Sequence, residues 1–368
     1  MNTKPPDATP WQTAVAPAIE KIMHTLTVPG MLIAVGRGDA IPEVLAVGSD
    51  ADGAPLSADT LLPVTSITKL ATALAVLRLV ATGDLELDAP VARYAPEAAA
   101  SSREITLRAL LSHTAGMPGD LPDGAAPYQL GLDWPALARA CLATPPVAPP
   151  GTEARYDNVG FGLLAIAVER ATRQPFPLAL ADLVLAPLGV EGYLGAEPPR
   201  PPARIAGAFG QHSGTDLEPV NSAFWRSLAL PWGGLVTTAS GALRLARAFA
   251  GAPVGFLPPS LLADATSDQT SGLPGGFAPP LVWPHNTWGL GVELHGHKRP
   301  HWAPREASAG SFGHVGASGC IAWFDPVAGV GWAMHGMRAF QGWWKHWPVL
   351  GSIILRTTQG LPPRVATL

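Results

Sequence analysis

Charge is scarce in this chain. Only 14% of its 368 residues are Asp, Glu, Lys or Arg, and the formal net charge is −4. No basic run and no interleaving of aromatic with basic residues is present, so no nucleic-acid face is expected. The two cysteines, Cys141 and Cys320, are too few for a disulfide framework, and Cys320 reads as a core residue. The start, Met1 to Asp7, lacks an apolar signal core, and no run is expected to reach transmembrane length. The expectation is a cytoplasmic protein with no membrane partner. There is no Gly-x-Ser-x-Gly, which removes the nucleophile elbow of the α/β-hydrolases. The glycine-rich run from Gly313 to Gly319 lacks the P-loop lysine. His295, His297 and His301 have no evident Cys, Asp or Glu partners and read as a surface loop. No metal and no cofactor is expected.

What is present starts with Ser66-Ile67-Thr68-Lys69. Ser and Lys three apart share a helical face, which puts an amine within reach of a hydroxyl. Pro63-Val64-Thr65 supplies a breaker and a capping hydroxyl, and Leu70 to Val80 reads as a strong helix. The positive end of that helix favours negative charge on oxygen, and with burial it disfavours the ammonium of Lys69. Alone, the tetrapeptide is also what an ordinary capped helix with a solvated lysine would show.

Three further segments follow in order. Tyr156-Asp157-Asn158 lies where a Pro149-Pro150-Gly151 loop enters a helix over Val159 to Ala171. A phenolate beside an ammonium would serve as a base, and the asparagine offers an amide to substrate and lysine. The plainer reading is a surface tyrosine with Asn158 as helix cap. Pro231-Trp232-Gly233-Gly234-Leu235-Val236-Thr237-Thr238 is next, and by itself it is a glycine turn before a helix. Gly313-His314-Val315-Gly316-Ala317 reads as a strand, with a turn near Gly319 and a second strand after it. Its glycines permit close approach of a ligand to backbone.

In this order the segments resemble those of the serine β-lactamase and penicillin-binding-protein superfamily, above all its β-lactamase-like carboxylesterase (family VIII) branch. Further likeness lies in Leu110-Leu111-Ser112-His113-Thr114-Ala115-Gly116, in Gly83 to Val91, and in Trp288-Gly289-Leu290-Gly291. The resemblance implies an α+β fold, β-lactamase/transpeptidase-like, with an antiparallel sheet flanked by helices and a mostly helical inserted domain. It implies Ser66 as nucleophile, Lys69 as its base, and Tyr156 as a proton carrier. Asn158 would bridge Lys69 and substrate, and the amides of Ser66 and Ala317 would hold the oxyanion. One departure matters. His314-Val315-Gly316 stands where β-lactamases carry Lys-Thr-Gly, so the anchor for a substrate carboxylate is weakened. Esters with short acyl groups are then the expected small-molecule substrates. A β-lactamase, DD-peptidase or D-aminopeptidase, an acyltransferase with the same acyl-enzyme, and a non-catalytic binding protein remain as alternatives.

The expected organisation is a loose tail over 1–10, a sheet domain from 11–84 and 285–368, and a mostly helical domain over 85–284, with the cleft between them. Strands are expected at Met31 to Val35, Val44 to Val47, Trp288 to Leu294, Ser311 to Ala317, Cys320 to Phe324 and Val330 to Gly336, and helices at Trp11 to Leu26 and Gly342 to Thr357. The loop from Met117 to Asp133 could line the cleft mouth. Trp232, Trp283 and Trp288 are candidates for an apolar pocket, whereas Trp343, Trp344 and Trp347 read as packing for the last helix. His113 reads as structural. The oligomeric state is not legible.

Overall fold

The computed structural model describes residues 9–121, 131–207, 212–339 and 341–363. Most of the 1–10 tail and of the 117–133 loop lies outside the described residues. The first apolar stripe forms helix α1, Pro10–Leu26, burying Trp11, Val15, Ile19 and Ile22. Strands β1, Gly30–Arg37, and β2, Glu43–Gly48, form the expected antiparallel pair. Helices α2, Thr68–Thr82, α3, Val159–Thr172, and α4, Ala239–Ala248, follow. The chain then returns to strands β3, Glu293–Leu294, β4, Phe312–Gly316, β5, Cys320–Asp325, and β6, Val330–Gly336. Helix α5, Trp347–Thr358, comes last.

The six strands form one antiparallel sheet in the order β2-β1-β6-β5-β4-β3. Early and late strands therefore meet, with Met31 opposite Gly336 and Arg37 opposite Val330. Successive side chains of a strand point to opposite faces. Met31, Ile33, Ile321, Trp323 and Trp332 pack on one face with α1 and α5. Leu32, Ala34, Ala322, Phe324 and Ala333 face the other way, into the core shared with α2, α3 and α4. Both faces are covered, so the central strands read as near-continuous apolar runs.

Several sequence expectations need correction. Only Glu293–Leu294 of the expected strand over Trp288 to Leu294 is strand, because the Gly289 amide turns back to the Val292 carbonyl at 2.9 Å. The last helix begins as a 3-10 turn, Gln341–Lys345, and becomes α-helical at Trp347, with Pro348 in the first turn, where a missing N–H costs nothing. Helix α4 falls within the span expected for the helical domain, yet it packs on β1, β5 and β6. The stretch Thr65–Thr82 does have the length and apolar content of a membrane span. A helix apolar all round is also what a protein core requires, and 72% of that stretch is buried inside the protein.

Candidate active site

Ser66 sits just before α2, in the 3-10 turn Thr65–Ile67. Thr65 holds a φ of +41°, a strained conformation for a β-branched residue that needs support from its surroundings. Its hydroxyl does not cap the helix. It accepts from the Ser318 amide at 3.2 Å and lies 3.3 Å from Ser318 Oγ, which pins the turn to the connection between β4 and β5. Ser318 Oγ is also 3.3 Å from His335 Nε2, and that nitrogen is 3.3 Å from the Pro63 carbonyl. Gly316 is required here, since a Cβ would overlap Thr65 Oγ1, Cys320 Sγ and the Val64 carbonyl.

Lys69, one helical turn on, is fully buried. Its amine donates to Tyr156 Oη at 2.7 Å, Asn158 Oδ1 at 2.7 Å and the Trp232 carbonyl at 3.1 Å. The Ser66 hydroxyl lies close enough to the Tyr156 phenol to favour its anion, and both residues line one cavity, so the phenol lies beside both serine and amine. Burial lowers the Lys69 pKa to about 7, against the charges of Asp157 and Asp120. Burial also pushes the Tyr156 phenol well above its usual range. Near neutral pH Tyr156 is therefore a neutral phenol rather than the phenolate expected from sequence, and Lys69 stands near the midpoint between amine and ammonium.

Tyr156 is held from behind. His113 Nδ1 lies 3.0 Å from Asp157 Oδ2 with both side chains fully buried, and the His113 carbonyl accepts from the Arg155 amide at 2.8 Å. Burial lowers the His113 pKa, which keeps it neutral and structural. Asp157 Oδ1 accepts from the Gly160 amide at 2.7 Å, capping α3. Asn158 is therefore free of capping. Its Oδ1 accepts from Lys69, and its side chain lies close enough to Asp120 to favour that carboxylate.

Ser66 and Tyr156 open onto a cavity of about 540 Å³, with Val315, Gly316 and Ala317 along one wall. Ser66 and Ala317 meet at it, as an oxyanion site between their amides requires. Asn158, His314 and Trp232 do not line it. His314 is fully buried, its Nδ1 is 2.6 Å from the Val315 carbonyl, and burial lowers its pKa to about 3. Alternation along β4 turns His314 away from the cavity and Val315 toward it. Trp232 contributes its carbonyl, while its indole packs against Trp134 at 6.2 Å between ring centres. Trp343 and Trp347 pack the last helix onto the sheet as expected, but with Trp344, Phe277 and Trp302 they also line the cavity, whereas Trp283 and Trp288 do not. Cys320 borders it, but burial pushes its thiol up to about 12.

The histidine cluster also differs from expectation. His297 is exposed, but His295 and His301 are buried. The carboxylate not seen as a partner of His301 is Glu293. It binds Lys298 Nζ at 2.7 Å and lies 3.1 Å from His301 Nε2. Nothing in the spacing of Glu293, Lys298 and His301 signalled this buried cluster, nor the bonding of Ser318 to His335.

Residues 15–339 match the model of the beta-lactamase family. Esterase EstB of Burkholderia gladioli is 34% identical over 251 residues, which are 59% of this chain and 64% of EstB. The match thus spans less than two thirds of that relative's length. Penicillin-binding protein 4 of Amycolatopsis lactamdurans is 29% identical over 304 residues, 79% of this chain and 75% of the relative. A solved family VIII carboxylesterase superposes with a TM-score of 0.74 at 22% identity, covering 94% of this chain and 97% of that one. This last likeness is one of fold, α+β with an antiparallel sheet between helices.

Proposed function

The chain belongs to the beta-lactamase family, and from that premise we propose that it is a serine carboxylesterase acting on neutral esters through an acyl-enzyme on Ser66. The observation that carries this reading is the Ser66–Tyr156–Lys69 chain opening onto a cavity whose described walls bear no charged side chain. Ser66 Oγ attacks the ester carbonyl. Its proton passes to Tyr156 Oη as the Tyr156 proton passes to Lys69 Nζ. The oxyanion rests between the amides of Ser66 and Ala317. Collapse breaks the bond to the alcohol oxygen, which takes a proton back along the same path. Water then attacks the acyl-enzyme with the relay again acting as base, releasing the acid and Ser66.

A β-lactam brings a carboxylate, and a buried, neutral His314 offers it no charge. p-Nitrophenyl butyrate should therefore be cleaved with a kcat/KM at least about 100-fold above that for a chromogenic cephalosporin, the scale of a lost charge-assisted contact. Faster cephalosporin cleavage would put the β-lactamase reading first.

The acidity of Lys69 gives a second prediction. The amine is the active form, so kcat/KM should rise about tenfold per pH unit below its pKa of about 7 and level off above it. A profile flat from pH 5 to 9 would remove Lys69 as the base.

A further inference from the structure

We infer that the site is built for neutral esters carrying an aromatic ring on one side of the scissile bond, an inference that rests on the carboxylesterase reading and narrows its substrate class. The cavity, about 540 Å³, falls in the range that encloses drug-sized ligands, and a short acyl group would fill little of it. Six aromatic residues line it, and rings among them pack on one another. Phe277 tilts onto Tyr156 at 4.8 Å and meets Trp302 edge-on at 5.8 Å. The loop carrying Phe277 is tied to the Tyr156 segment, since Gly275–Gly276 pairs with Ala154–Arg155.

The lining tryptophans Trp343 and Trp347 are also held by packing. Trp343 stacks on Trp347 at 4.0 Å with 4° between planes, and its indole N–H donates to the Arg338 carbonyl at 2.9 Å. The Trp343 ring occupies the space where any side chain at Gly336 would stand. Beside it, half-buried Trp344 also borders the cavity. An added ring extends the offset and edge-to-face pattern already present, which a linear chain cannot do.

The test compares esters that differ in one group. Benzyl butyrate is set against ethyl butyrate, and ethyl 3-phenylpropanoate against ethyl propanoate and ethyl octanoate, each with wild type, Trp344→Ala and Phe277→Ala. In at least one series the phenyl ester should have a kcat/KM roughly 10–100-fold above its small counterpart, the scale of burying one ring. That ratio should fall about tenfold in at least one variant. Equal rates in both series, or an octanoate cleaved as well as the phenylpropanoate with no preference for benzyl over ethyl butyrate, would overturn the inference and leave the esterase reading standing. Tryptophan fluorescence titration with 3-phenylpropan-1-ol provides a readout without turnover. If no ester is cleaved, the esterase reading fails; saturable quenching weakened in Trp344→Ala would still support the aromatic site, and no quenching would overturn it.

Discussion

Ser66→Ala yields a folded protein whose ester turnover is lower by roughly 10⁴–10⁶-fold, the usual consequence of removing a nucleophile. Lys69→Met falls by roughly 10²–10⁴-fold, because the amine moves a proton rather than forming the bond. The two losses do not add: a double variant should be no slower than Ser66→Ala alone, since without Oγ there is no proton for Lys69 to accept. Intact-mass measurement with a fluorophosphonate gives a second readout. The wild type gains one adduct, Ser66→Ala gains none, and Lys69→Met gains it slowly. Near-wild-type turnover by Ser66→Ala would sink the assignment. Unchanged thermal unfolding of Ser66→Ala is expected, since its half-buried hydroxyl is not among the contacts that pin the turn. Those belong to Thr65 and Ser318.

The largest stability loss is expected at Glu293→Ala, about 3–5 kcal/mol, read as a shift of the urea midpoint. The pair with Lys298 is almost wholly buried, so truncating one partner strands the other's charge away from water. Replacing both, as Glu293→Leu with Lys298→Met, should recover most of the loss, because neither charge then needs a partner. A double variant as weak as Glu293→Ala would show that the cost is one of packing. Burial opposes the Glu293 carboxylate, but the charges and hydrogen bonds of Lys298 and His301 together outweigh it and hold the pKa at about 2, below the unfolded 4.5. A lowered acid pKa contributes stability that is complete above about 4.5 and lost as pH falls toward 2. Glu293→Ala should accordingly flatten stability against pH across that window.

Much of this was legible from residue order. β6 was bounded correctly at both ends because Val330 to Gly336 is apolar on both faces and lies between turns. Ser66, Lys69, Tyr156 and Asn158 converge as their motif context implied. The misreadings share one cause: a local pattern does not state which way a side chain points. His314 and Val315 exchange places between core and cavity by strand alternation alone. Trp344 borders the cavity because the chain before α5 bends as a 3-10 turn, which helical periodicity does not disclose. Glu293 found Lys298 and His301 through folding back of the chain, a contact without a sequence period.

The bond between Thr65 and Ser318 spans 253 positions. The ribosome releases the nucleophile long before the residues that hold its turn in place. At about 5–20 residues per second the wait is on the order of tens of seconds. For most of that interval the nascent chain carries serine, lysine and tyrosine but no working arrangement of them. Hydrolytic competence therefore arrives late in synthesis, and an activity signal from a translating ribosome would time the closing of the sheet.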